Sequence, residues 1–365
     1  MALVYEKPAA QESASSSSAL AAQIELNPPA QAGASGSTGA PEPGNARERR
    51  APGIGPTLSG DAADEVKSQV FARLDPLDAA GFTRMGRPRP GEWLSSFRES
   101  PQPMELYRMQ RPVRPTPERR TIVLQPLGEF TPGQRKVLES MREYAEVFFQ
   151  LPARLERTMP FPRGDEALEE QLVRIVPVGQ RHGSYDRQYR AETILDRMLK
   201  THLPADAVVY LGITMEDLWA SNLAYVFGLG SFKDRVGVYG LCRYYPEFWG
   251  RARGPGDELK GLHRSCKVLN HEAGHMFGLS HCVFFHCSMN GSNSLPETDA
   301  APIHFCPVCQ RKLAWNIGYD PLKRFDALEA FYRAQGLSED ADWMKARIGN
   351  WKNLLDKQAV VEEEE

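Results

Sequence analysis

No apolar run in this chain approaches the roughly 18–20 residues that a membrane-spanning helix needs. Charge of one sign is also missing: the formal net charge is −3 over 365 residues, so bulk electrostatics do not mark a nucleic-acid binder. The opening "MALVYEKPAAQES" has only a brief apolar start before Glu6 and Lys7, too short for a secretory core segment. We therefore expect an intracellular protein, cytoplasmic or nuclear, whose cysteines stay reduced and whose cysteine clusters read as metal sites rather than disulfides. No internal repeat is evident. Histidine and cysteine are scarce, at eight and six residues, which makes their distribution informative. Four of the histidines and two of the cysteines fall within "HEAGHMFGLSHCVFFHC", His271–Cys287. A hydrophobic content of 41% still allows a sizeable core.

Residues 1–60 are rich in Ala, Ser, Gly and Pro and nearly devoid of aromatic or branched aliphatic groups. They cannot offset the entropy of ordering, so we expect a disordered low-complexity segment. Arg47, Arg49 and Arg50 read as part of that solvated linker. Residues 61–118 form an expected irregular, Pro-rich extension, with Trp93, Phe97 and Tyr107 as anchors. Residues 119–365 then carry the elements of a globular domain. Thr121 to Leu124 form a β-branched strand run. Thr131 is placed as an N-cap with Pro132 at the first helical position, before a helix with Val137, Met141, Tyr144 and Phe148 at apolar spacing. A second helix is expected over Tyr189–His202, followed by a buried strand in "DAVVYLGIT". "YVFGLGSFKDRVGVYGLCRY" reads as two strands joined by a turn around Ser231–Asp234. A helix holds "GLHRSCKVLNHEAGHMFGL", and the tail after about Asp320 is helical, with Leu328, Phe331 and Tyr332 on its apolar face. Alternating strands and helices imply an α/β (α+β) sheet packed with helices.

Four residues apart on a helix, His271 and His275 share one face, and their imidazoles can converge on one ion. Glu272 lies beside His271, within reach of a water on that ion without ligating it. Gly278 can adopt the left-handed conformation that ends a helix, so the chain turns back and delivers His281 as a third ligand. Three neutral histidines leave a fourth position open, as a catalytic zinc requires. A chance match to all five fixed positions has a probability on the order of 10⁻⁵ to 10⁻⁴. Cys282 and Cys287, then Cys306 and Cys309, give a C-x₄-C pair and a C-x₂-C pair with the spacing of a tetrathiolate zinc site. A rubredoxin-like iron centre is the weaker alternative. Because Cys282 follows His281 directly, a metal on the thiolates would clamp the segment that carries the third histidine. His286 reads as a solvent-facing neighbour, and Cys242 and Cys266 as core residues.

The stretch "HEAGHMFGLSHCVFFHCSMNGSNSLPETDAAPIHFCPVCQRKL" resembles the signature of the archaemetzincins, a branch of the metzincin zinc peptidases. The likeness continues more loosely through "VVYLGITMEDLW", "YVFGLGSF" and "GVYGLCRY". It implies that His271, His275 and His281 bind a catalytic zinc, that Glu272 is the general base, and that Cys282, Cys287, Cys306 and Cys309 hold a second, structural zinc. It also places Met289 in the methionine turn beneath the catalytic ion. The implied fold is a twisted mixed sheet packed with helices, with an active-site helix and a C-terminal subdomain bearing the four-cysteine zinc site. An antiparallel edge strand in the "FGLGSFKDRVGVYGLCRY" region would receive an extended peptide. The expected activity is hydrolysis of peptide or protein substrates with two zinc ions per chain. The alternative is a non-catalytic two-zinc scaffold or protein-binding module. Neither a nucleic-acid nor a membrane partner is expected, since only Arg311 and Lys312 lie near the cysteine cluster.

Overall fold

The structure is a computed structural model. It describes Leu58 and residues 60–364 apart from 165, 178–181, 184, 222–224 and 232–233, together with the two-residue strands Tyr5–Glu6 and Ala19–Leu20. The expected disordered segment otherwise lies outside the described residues. The Pro-rich extension is less irregular than its composition suggests. It contains a helix, α1 (Gly60–Ala72), and three short helical pieces at Pro76–Ala79, Trp93–Ser96 and Met104–Met109. Of its three expected anchors, Trp93 and Tyr107 are fully buried and Phe97 is half-buried, stacked on Trp93 at 4.2 Å.

The β-branched run starts strand β1 (Thr121–Leu127). Thr131 then caps helix α2 (Pro132–Phe149). Its hydroxyl accepts from the Gln134 N–H at 3.3 Å, while Gln134 Oε1 accepts from the Thr131 N–H at 2.8 Å. Two otherwise orphaned donors of the first turn are satisfied by this exchange. Val137, Met141, Tyr144 and Phe148 are buried along one face, as their spacing predicts. Strand β2 (Ala153–Leu155) follows, then β3 (Ala207–Thr214), β4 (Gly228–Ser231) and β5 (Val236–Gly240). They form one sheet in the order β2–β1–β3–β5–β4. The pairs β1–β2, β1–β3 and β3–β5 are parallel, and only β4 runs antiparallel, at the edge. Every residue of β3 is buried, which explains its unbroken apolar run: a central parallel strand is covered on both faces.

On one face lie α2 and the long helix α3 (Asp257–Met276), together with helices α4 (Pro307–Ile317), α5 (Pro321–Ala334) and α6 (Ser338–Glu364). The other face packs Val123, Tyr210, Val236 and Val238 against Ile194, Leu195, Met198 and Leu199. The helix expected over Tyr189–His202 is corrected here. Arg187–Arg190 is a strand, and helical geometry begins only at Ala191, passing through a π segment at Ile194–Leu199. The cause is non-local, because the Tyr189 N–H donates to the Asp217 carbonyl at 2.8 Å and its ring stacks on Phe161. Among the described residues no helix is long and apolar enough to cross a membrane.

Candidate metal centres

Helix α3 ends in a turn that aims the chain back on itself. Gly278 has φ +83°, its N–H donates to the His275 carbonyl at 2.7 Å, and the Leu279 N–H reaches the Gly274 carbonyl at 3.0 Å. This paired arrangement satisfies two carbonyls that a helix end would leave open. Extension residues brace it: the Tyr107 hydroxyl donates to the Phe277 carbonyl at 2.6 Å, and Gln102 Nε2 to the Gly278 carbonyl at 2.9 Å. Beyond the turn, His281 comes to face His271 and His275. One ring nitrogen from each of the three lies within 4.8 Å of the others, and all three residues are buried.

The outward ring nitrogens are all engaged. Nδ1 of His271 is 2.6 Å from the Ser288 carbonyl, Nδ1 of His275 is 2.6 Å from the Leu279 carbonyl, and Nδ1 of His281 is 2.6 Å from Glu99 Oε1. A carbonyl only accepts, so Nδ1 of His271 and His275 carries the hydrogen and Nε2 presents a lone pair. Those two Nε2 atoms stand 2.9 Å apart. Lone pairs so close repel unless something positive lies with them. A proton is disfavoured, since burial and then the neighbouring imidazoles push both residues well below the usual histidine range. A zinc ion would fit the donor set, since bonds of 2.0–2.1 Å in a tetrahedron imply nitrogen separations of about 3.3 Å, between this pair's spacing and the 4.8 Å that bounds the group.

Glu272 is buried beside this group, and its Oε1 has no hydrogen-bond partner among the described residues. Burial pushes its carboxyl well above the usual range. Met289 is fully buried under α3. Its approach depends on Gly274, where a Cβ would stand 2.6 Å from Met289 Sδ. Gly274 sits inside the histidine motif, but its spacing alone does not reveal this contact.

The cysteines form the second group. Sγ atoms of Cys282, Cys287, Cys306 and Cys309 lie within 4.8 Å of one another, all buried, with Cys282 and Cys306 3.6 Å apart. Zinc–sulfur bonds of 2.3 Å imply separations of about 3.8 Å, so the cluster fits a tetrahedral ion. Burial opposes ionisation, yet thiol donors from Cys287, Cys306 and Cys309 hold Cys282 well below the usual thiol range. Backbone N–H groups of Cys306 and Met289 point at Cys287 Sγ from 3.2 and 3.5 Å. The Cys282 N–H donates to the Met289 carbonyl at 2.8 Å, linking the cysteine cluster to the turn under the histidines. His286 is exposed, and Cys242 and Cys266 are buried apart from the cluster, all as expected.

A cavity of about 1700 Å³ near the carboxyl ends of β1 and β3 is lined by Glu129, Arg163, Arg187 and Glu216 among others, and by none of the seven candidate ligands. Donor chemistry, not volume, marks the candidate site. Sequence reasoning also missed Glu99. It lies 182 residues from His281, with no local pattern to connect them.

Comparison with known proteins gives one family. Residues 163–315 match the family described as Peptidase family M54. The chain is 32% identical to the Archaemetzincin-2 of Pongo abelii over 276 residues, covering 66% of this chain and 71% of that protein. It is 32% identical to the archaemetzincin of Pyrococcus furiosus over 200 residues, covering 54% of this chain and 94% of that one. Among solved structures, the archaemetzincin of Methanopyrus kandleri aligns at a TM-score of 0.42 and 25% identity, over 56% of this chain and 99% of that chain.

Proposed function

This chain belongs to the archaemetzincin family of zinc-dependent metallopeptidases, and from that premise we propose that His271, His275 and His281 hold its catalytic zinc and that Glu272 is the general base. We assign a second zinc to Cys282, Cys287, Cys306 and Cys309, where a closed thiolate shell gives it a structural role. One observation carries the reading: three buried imidazoles converge beside a buried carboxylate whose Oε1 has no hydrogen-bond partner among the described residues.

Zinc held there by His271, His275 and His281 would supply Lewis acidity, making a water more acidic and polarising a carbonyl oxygen. Glu272 receives the proton of the attacking water on its open oxygen and hands it to the departing amine. Its burial shields that open oxygen from bulk solvent. The acceptors on the three Nδ1 atoms fix the orientation of the rings and leave each Nε2 free for an ion. The substrate is a peptide or protein, and the antiparallel edge strand β4 offers a place for an extended segment to pair. The Glu272→Gln variant tests the assignment. We expect peptide hydrolysis to fall by about 10²–10⁴-fold while metal analysis finds the zinc content of the wild type. Wild-type turnover in that variant would remove Glu272 from the chemistry.

A further inference from the structure

We propose that Glu99 is a positioning residue for the candidate catalytic centre, delivered by the N-terminal extension to orient His281. The inference rests on the reading of the three histidines as zinc ligands and adds a dependence on a distant segment. His271 and His275 find their Nδ1 acceptors on the main chain nearby, at Ser288 and Leu279. His281 instead meets a carboxylate, Glu99 Oε1, at 2.6 Å. The two side chains are 6% and 1% exposed, so solvent does not screen the contact.

Trp93 keeps Glu99 in place. Its indole N–H donates to Glu99 Oε1 at 2.8 Å, and its ring meets the edge of the His281 ring at 5.1 Å. The Trp93 backbone N–H is itself tied to Glu297 Oε1 at 2.8 Å. The indole lies flush on Gly291, where a Cβ would fall 2.4 Å from the Trp93 ring. Gly291 stands two residues after Met289, so the turn beneath the histidines also forms the seat for the extension. Thus Glu99 is held by an indole donor while its oxygen receives the histidine N–H. A carboxylate in that position fixes the tautomer of His281, makes its Nε2 a better donor to a dication, and restricts ring rotation.

The test compares full-length wild type, Glu99→Ala and Glu99→Gln. Zinc content is measured by metal analysis, affinity at the weaker site by chelator competition, and ligand geometry by the visible spectrum of the cobalt-substituted protein. For Glu99→Ala we expect about 10–100-fold weaker metal binding at the histidine site, a shifted cobalt band and full retention of the thiolate-bound ion. Glu99→Gln, nearly isosteric and keeping a neutral acceptor, should fall between and decides the matter if Glu99→Ala does not fold. A purely structural Glu99 would lower the melting temperature of metal-free and metal-loaded protein equally and leave the cobalt band unmoved. If wild type holds two ions and both variants match its affinity and spectrum, the positioning role is overturned and the histidine assignment stands. If wild type takes up only a thiolate-bound ion, the histidine assignment fails and the role of Glu99 fails with it.

Discussion

Gly278 shows how a single side-chain hydrogen determines the position of a candidate ligand. Its φ of +83° is unfavourable for any other residue, and an added Cβ would meet Pro112 Cβ at 2.6 Å and Tyr107 Cε2 at 3.4 Å. Backbone strain of this kind costs about 1–3 kcal/mol, and the collision with the extension adds to it. Opening the turn relieves both, and it swings His281 away from His271 and His275. We therefore expect Gly278→Ala to lose its histidine-bound zinc preferentially, with stoichiometry falling from two ions toward one, and to unfold at lower denaturant. Metal analysis and a urea titration check the two effects. Wild-type stoichiometry with lowered stability alone would mean that the turn holds the fold without setting the site.

The end of α3 is gripped from two sides, by the extension and by α4. The Tyr107 hydroxyl donates to the Phe277 carbonyl and accepts from Asn316 Nδ2 at 2.8 Å, so one buried oxygen joins the extension, α3 and α4. Tyr107→Phe preserves the ring and removes that junction, leaving the Phe277 carbonyl without this donor. We expect a loss of about 1–3 kcal/mol in the urea-unfolding free energy, with little change in m-value. These contacts also explain what was legible beforehand. The placing of His271, Glu272 and His275 on one helix, and the glycine turn after it, follow from spacing and backbone conformation, which are local and written in adjacent residues. The capping of α2 by Thr131 was readable for the same reason. Glu99, Tyr107 and Gln102 reach the turn across the fold, and no sequence period encodes such a contact. Tyr189 shows the opposite failure, where a helical pattern was overridden by pairing with Val173 and Leu218.

Across the molecule, the extension, the histidine group, the cysteine cluster and the C-terminal helices are joined by buried polar contacts. Asp78, fully buried beyond the end of α1, meets Arg347 of α6 and lies 2.7 Å from Arg311 of α4. Lys267 of α3 is also buried, and its Nζ donates to the carbonyls of Thr298 and Asp299 at 2.9 and 3.1 Å. The two metal groups occupy different places in this framework. On the proposed assignment, three imidazoles would leave one coordination position of their ion to another ligand, so a chelator could compete for it. Four buried thiolates would close the shell of theirs, and the four cysteines draw together the segments 282–287 and 306–309. Removal of the two ions should therefore be ordered. A bidentate nitrogen chelator is expected to take one zinc, abolish peptide hydrolysis reversibly and leave far-UV circular dichroism unchanged. A thiol-directed mercurial should release the second, and with it the cooperative unfolding transition, because metal binding at such a cluster contributes directly to folding. The histidine site should then fail too, since Cys282 adjoins His281 and shares a backbone hydrogen bond with Met289. Simultaneous loss of both ions to the mild chelator, or a folded protein after thiolate release, would show that the cysteine cluster does not carry the framework.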